Sequence, residues 1–151
     1  MKTVALRFAD NFAPPEGTIA AHKAMIAKKG YVWYGKLGST ISEASIQMVM
    51  DNQPAKVLLI HSGTQKRYWA YVDAITRVFP GEGEFPEYYK DKASCIKAWI
   101  KMSKIENAPK DILSKCRVLS SGELLSQTSR HSISPYYRII VNEPEEVPVC
   151  Q

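Results

Sequence analysis

Eight consecutive residues, Lys29-Gly30-Tyr31-Val32-Trp33-Tyr34-Gly35-Lys36, constrain this chain more than any other stretch. They lie between two segments of helical character, yet they are aromatic and β-branched, which is strand chemistry. Alternation puts Tyr31 and Trp33 on one face and Val32 and Tyr34 on the other. Gly30 is placed to end the preceding helix. Gly35 leaves room where a Cβ would block a backbone or a flat ligand. One set of rings can join a core while the other lines a cavity. The remaining chain is read around that choice.

A chain of 151 residues suits one domain. The domain is expected over 1–141, with the acidic, proline-bearing stretch 142–151 as a tail or linker. No apolar run reaches the roughly 18 residues that span a membrane. The N-terminus carries a charge inside a short apolar run and no small-residue cleavage site, so it reads as a strand and not a signal peptide. Cys95, Cys116 and Cys150 match neither a disulfide framework nor a CxxC metal site, and a reducing cytoplasm is the simpler setting. The net charge of +5 is unevenly placed: Lys90 to Arg117 holds eight bases against three acids. That segment fits either a polyanion partner or a solvated lysine-rich face.

In chain order, a strand over 2–9 leads to a loop through Pro14-Pro15. A helix capped by Thr18 runs to about Lys28, with Ile19, His22 and Ile26 inward. After the central strand, Ser42 caps a second helix to about Asp51. Lys56–His61 and Arg67–Val78 form a hairpin. Along its second strand Tyr68, Ala70, Val72 and Ala74 share one face, and Trp69, Tyr71, Asp73 and Ile75 the other. Residues 79–92 make a long loop carrying Phe79, Phe85, Tyr88 and Tyr89; loops of this length in compact domains are functional or disordered, and the rings argue for order. Strands over 95–105, 117–119 and 136–141 follow. A short helix lies between the first two, a second one is capped by Ser121, and a polar loop covers 127–134. The whole is α+β, a curved β-barrel of five or six strands with small flanking helices.

Catalytic motifs are missing: there is no GxSxG, HExxH, P-loop or CxxC, and His22, His61 and His131 lack metal-ligand spacing. The reading is therefore a non-enzyme with no catalytic residue, metal or cofactor. A small nucleotide-acting enzyme using His61 or Asp73 is the alternative of another class, with Asp73 placed to pair with Arg67 or Arg77. Aromatics are the stronger signal. Recognition of a single base outside a helix needs rings to stack on and a few fixed donors. Trp33, the loop rings Phe85, Tyr88 and Tyr89, and Trp69 with Tyr71 are the candidates, set against the ordinary core role of strand tryptophans. Lys36, Lys66, Arg67 and Arg130 are candidate phosphate contacts.

These residues resemble the PUA-like superfamily, and within it the YTH and EVE-type modified-base readers. The carriers are Lys29-Gly30-Tyr31-Val32-Trp33 and the later run Ala98-Trp99-Ile100-Lys101-Met102-Ser103-Lys104-Ile105-Glu106-Asn107-Ala108-Pro109. The resemblance implies a barrel whose cage takes a flipped modified base, a methylated or hydroxymethylated cytosine or adenine. Trp33 falls on the first cage tryptophan, with Lys36 at the cage mouth. Phe85, Tyr88 or Tyr89 would supply the second ring, since no Trp stands there, and Tyr34 replaces the serine expected after Trp33. Asn11 falls where the family places an asparagine on the base edge, with the Tyr34 and Ser62 region beside it. By analogy with EVE-like domains, the partner is nucleic acid, DNA favoured over RNA, in a bacterial modification-dependent restriction system with a fused or recruited nuclease or GTPase. The competing implication is an RNA-binding module without modification specificity.

Overall fold

A computed structural model describes residues 1–11, 13–132 and 134–142. The strands are β1 (Lys2–Phe8), β2 (Val32–Lys36), β3 (Lys56–His61), β4 (Arg67–Thr76), β5 (Ala98–Asn107), β6 (Cys116–Val118) and β7 (Tyr136–Val141). The helices are α1 (Thr18–Lys29), α2 (Glu43–Met50) and α3 (Leu125–His131), with 3₁₀ turns at Glu87–Tyr89, Ala93–Cys95 and Ile112–Lys115. All but the first residue of the expected tail lies outside the described residues.

The α+β class holds, but the barrel does not. The strands form one open seven-stranded sheet in the order β2-β5-β4-β3-β1-β7-β6. β1 pairs with β3 in parallel and with β7 antiparallel, which leaves β2 and β6 as unjoined edges. The β2 edge is covered by the long loop: Trp33 N–H donates to Glu84 O at 2.9 Å. Glu84 also accepts from the Tyr31 hydroxyl at 2.5 Å and from Lys29 Nζ at 3.2 Å. A loop that occupies an edge strand's free groups removes the need for closure.

Both faces of the sheet are buried. Val4, Leu6, Val57, Leu59, Ile100 and Met102 pack beneath α1 and α2 on one side. Ala5, Leu58, Ile60, Trp69 and Ile139 pack beneath α3 and the 3₁₀ turn Ile112–Lys115 on the other. The expected faces of β4 hold as far as Val72 and then fail. Register shifts at Tyr71/Val72 and Val72/Ala74 leave Ser103 and Asp73 unpaired in the ladder, and Ile75 joins the same core as Ala70 and Val72. Bulges reset the alternation of everything downstream. The two skipped residues meet each other, Ser103 Oγ donating to Asp73 Oδ1 at 3.4 Å. That contact replaces the ion pair expected between Asp73 and an arginine.

Helix ends also differ in part. Gly30, in the left-handed region at φ 84°, ends α1 as expected. Ser42 caps α2 by accepting the Ser45 N–H. Thr18 is instead the first residue of α1, and its N–H is taken by the Asp10 carboxylate at 3.0 Å. The segment read as a polar loop is largely α3, preceded by Leu124 and not capped by Ser121. Leu125 is fully buried, and Arg7 Nη2 donates to the carbonyls of Ser129 and Ser132 at the helix end. Those orphan carbonyls are satisfied from a distant strand.

A third cluster, Phe85, Tyr89, Ile96 and Trp99, is built where the long loop folds over β2 and β5. Gly35 belongs to it. A Cβ there would lie 2.5 Å from Ile96 Cδ1 and 3.2 Å from the Trp99 ring. This face of Gly35 therefore admits an indole of the protein itself. Gly35→Ala is expected to destabilise by about 1–3 kcal/mol, toward the lower end because the Ile96 methyl can turn aside. An unchanged thermal midpoint would contradict this packing.

Candidate functional site

Residues at the ends of β1 and β2 line a cavity of about 370 Å³ together with Tyr88, Tyr89 and Lys92 of the long loop. Its walls include Tyr34, Tyr88 and Tyr89; polar groups come from Asn11, Thr18 and Ser62, and cations from Arg7, Lys36 and Lys92. Among the described residues lining it there is no carboxylate. The volume is within the range of small-ligand sites.

Alternation along β2 decides which rings reach it. Val32, Tyr34 and Lys36 share the cavity's side of the strand. Trp33 opposes Lys101 and Gly35 opposes Trp99 on the other side. Tyr34 is 6% exposed, and its hydroxyl makes no hydrogen bond with any described residue. Burial raises its pKa, so it stays a neutral phenol that can donate and accept.

His22 holds this aromatic wall from behind. It is fully buried, its ring 5.2 Å from Tyr34 and 5.6 Å from Tyr89. Nδ1 lies 2.7 Å from Thr18 O, so that nitrogen carries the proton. Nε2 is left to accept from the Tyr89 hydroxyl at 3.4 Å. Burial pushes the His22 pKa down to about 4, so the ring is a neutral brace. Tyr88 and Tyr89 pack with centroids 4.5 Å apart at 33°. Burial raises the Tyr88 pKa too, and that ring is only partly covered.

Lys36 is 3% exposed. Its Nζ donates to Ser39 O and stands 5.0 Å from the centre of the Tyr136 ring. Burial lowers its pKa. Arg7 Nη2 also donates to the Tyr137 hydroxyl at 3.0 Å. Among buried polar atoms, Arg7 Nε and Arg67 Nε have no hydrogen-bond partner.

Of the residues singled out from sequence, Tyr34, Tyr88, Tyr89, Asn11, Ser62 and Lys36 converge on this cavity. Trp33 is not among its lining residues; it is half-buried against the third cluster. Phe85 is buried in that cluster and lines a separate hollow with Phe79 and Met25. Trp69 is buried in the second core, with Lys56 Nζ 4.5 Å from its ring centre. Lys66 borders a neighbouring cleft of about 280 Å³ with Asp10 and His61. Arg67 donates to the carbonyls of Thr64 and Lys66, and Arg130 is exposed on α3. Arg7, Thr18 and His22 were not singled out for the site. His22 showed only as an inward helix position, and Arg7 only as a charge inside an apolar strand.

His61 has both nitrogens occupied, Nδ1 by Thr64 Oγ1 at 2.7 Å and Nε2 by Asp10 Oδ2 at 2.8 Å. Burial works to raise the Asp10 pKa, but the bonds from Thr18 and the pairing with His61 outweigh it and hold it low. Asp73 is bonded elsewhere. Among the described residues no group of His, Cys, Asp and Glu could hold a metal ion, and no helix is long and apolar enough to cross a membrane.

The described residues form an α+β module with an aromatic, cation-lined recess beside the ends of β1 and β2. Residues 4–147 match the Pua-like family, and the chain belongs to it. No curated protein and no solved structure matches the chain. Membership supports nucleic-acid binding in general.

Proposed function

We propose that this protein is a reader domain that takes one flipped or unpaired modified base into the cavity beneath Tyr34 and Tyr88. One observation carries the reading: a recess walled by three tyrosines holds a phenol with no hydrogen-bond partner among the described residues and one buried cation, Lys36, and its described lining has no carboxylate. Tyr88 is the stacking surface, Tyr34, Asn11 and Ser62 meet the base edge, and Lys66, Arg67 and Arg130 meet phosphates. The resemblance to EVE-type domains favours methylated or hydroxymethylated bases in DNA, a role as the specificity part of a restriction or defence system, and a fused or recruited nuclease or GTPase. The protein supplies binding and no chemistry.

The test is a titration of DNA and RNA oligonucleotides with and without one modified base at fixed salt. Preference for one modified base supports the reading, and equal affinity across the panel would end it. A second reading, RNA binding without modification specificity, rests on family membership and on the absence of Trp33 from the recess. It predicts equal affinity with strong salt dependence.

Under either reading, three phosphate contacts on a single strand give a log affinity against log salt slope of about −2. Replacing Lys66 or Arg130 by Gln is expected to flatten that slope by somewhat under one unit and to weaken all sequences alike. A slope unaltered by both substitutions would remove them from the interface.

A further inference from the structure

Lys36 is a long cation that is almost completely enclosed, faces a cavity, and has no carboxylate beside it in that lining. An ammonium has three N–H donors. Ser39 O takes one and the Tyr136 ring face receives another. The third has no acceptor among the described residues, and Lys36 lines the cavity. Two residues back on the same face of β2, the Tyr34 hydroxyl is also without a hydrogen-bond partner among the described residues. Phosphates of a nucleic-acid backbone stay at the protein surface, which a side chain this enclosed does not reach. The base is the part of the ligand that enters.

Resting on the reader function above, we propose that Lys36 donates to a ring carbonyl of the bound base, so that the cavity selects carbonyl-bearing bases over adenine. The chemistry is that of donor and acceptor matching. Cytosine places O2 beside the acceptor N3, so Lys36 and the Tyr34 hydroxyl each find an acceptor on one edge. Adenine has no ring carbonyl, and its exocyclic amino group sets donors against the ammonium. A buried donor left unmatched is costly, and the mismatch is expected to weaken binding by roughly tenfold to a hundredfold. Lys36 is thus a specificity-determining residue and not a phosphate contact.

The full chain is titrated with single-stranded oligonucleotides that differ at one position: cytosine, 5-methylcytosine, 5-hydroxymethylcytosine, adenine and N6-methyladenine. Parent protein is expected to bind the best cytosine derivative at least tenfold tighter than N6-methyladenine. Lys36→Met should bring that ratio close to one, and Lys36→Arg, which keeps donors, should retain part of it. A 2-thio cytosine derivative tests the same contact from the ligand side and should bind the parent more weakly. Tighter binding of N6-methyladenine would overturn the Lys36 assignment and leave the reader function standing. An equal loss across all five with Lys36→Met, combined with no effect of the 2-thio change, would also overturn it. Equal binding of all five by the parent would remove the reader function and this assignment together.

Discussion

Tyr88→Ala is expected to weaken binding of a preferred oligonucleotide by about tenfold to a hundredfold, since stacking on an aromatic ring contributes about 1–3 kcal/mol per base. The ring suits the test because it is only partly covered and stands at the cavity wall. Removing it deletes a stacking surface while Tyr89 and His22 keep the wall in place behind it. Trp33→Ala is the internal control. That indole packs against the third cluster and is not among the residues lining the cavity, so its loss should lower stability and leave affinity within about threefold of the parent, a change of well under 1 kcal/mol. Titration of both variants at one salt concentration separates the two faces of β2. The opposite pattern, with Trp33→Ala abolishing binding and Tyr88→Ala neutral, would move the site to the other side of the strand.

Acid is expected to loosen the fold through His22. Its folded pKa is about 4, against about 6.5 in an unfolded chain. At pH above 6.5 neither state binds the proton and no penalty arises. Between pH 6.5 and 4 the unfolded chain binds it and the folded protein does not, so stability falls as pH falls. The loss levels off below the folded value, at about 3 kcal/mol. Urea unfolding of the parent and of His22→Phe across pH 4–7 isolates the effect, because the difference between the two cancels the carboxylates and the other histidines. A difference that shrinks as pH falls through that window is expected. A constant difference would mean that His22 takes up its proton at the same pH in the folded and the unfolded chain, which contradicts a buried neutral ring.

How far these features were legible can be traced residue by residue. The β-branched and aromatic run at Val32–Lys36 announced a strand, and Gly30 announced the end of α1, because both signals are local. The side of β2 that faces the recess was not legible. Alternation offers two ring faces, Trp33 or Tyr34, and the decision depends on what covers each. Here the loop at 79–92 returns, pins itself through Glu84 and sets Phe85 beside Trp99, which closes the Trp33 side. The bulges in β4 and β5 left no mark in composition, so Ile75 was assigned to the wrong face. α3 was hidden by its Ser, Gln and Thr content, and its end is held by Arg7 from the far end of the chain. Closure into a barrel was inferred from five or six strands with small helices between them, and the sheet order leaves β2 and β6 unpaired with each other.

Clustering of Tyr34, Tyr88, Asn11, Ser62 and Lys36 around one recess came from residues scattered over many turns of chain. Only the two β2 residues were close enough in sequence to be read as neighbours. Asn11 and Ser62 were brought together because β1 and β3 are parallel, which sets the exits of both strands at the same end of the sheet, and Tyr88 arrives from the long loop. Ser62 N–H donating to Phe8 O at 2.7 Å is the contact that joins those exits.

The most direct measurement is a crystal structure of the full chain bound to a short oligonucleotide carrying its preferred modified base. The account predicts that base inside the recess, its plane against Tyr88 and its edge within hydrogen-bond reach of the Tyr34 hydroxyl and Lys36 Nζ. A complex in which every base stays outside while the recess remains empty would contradict it.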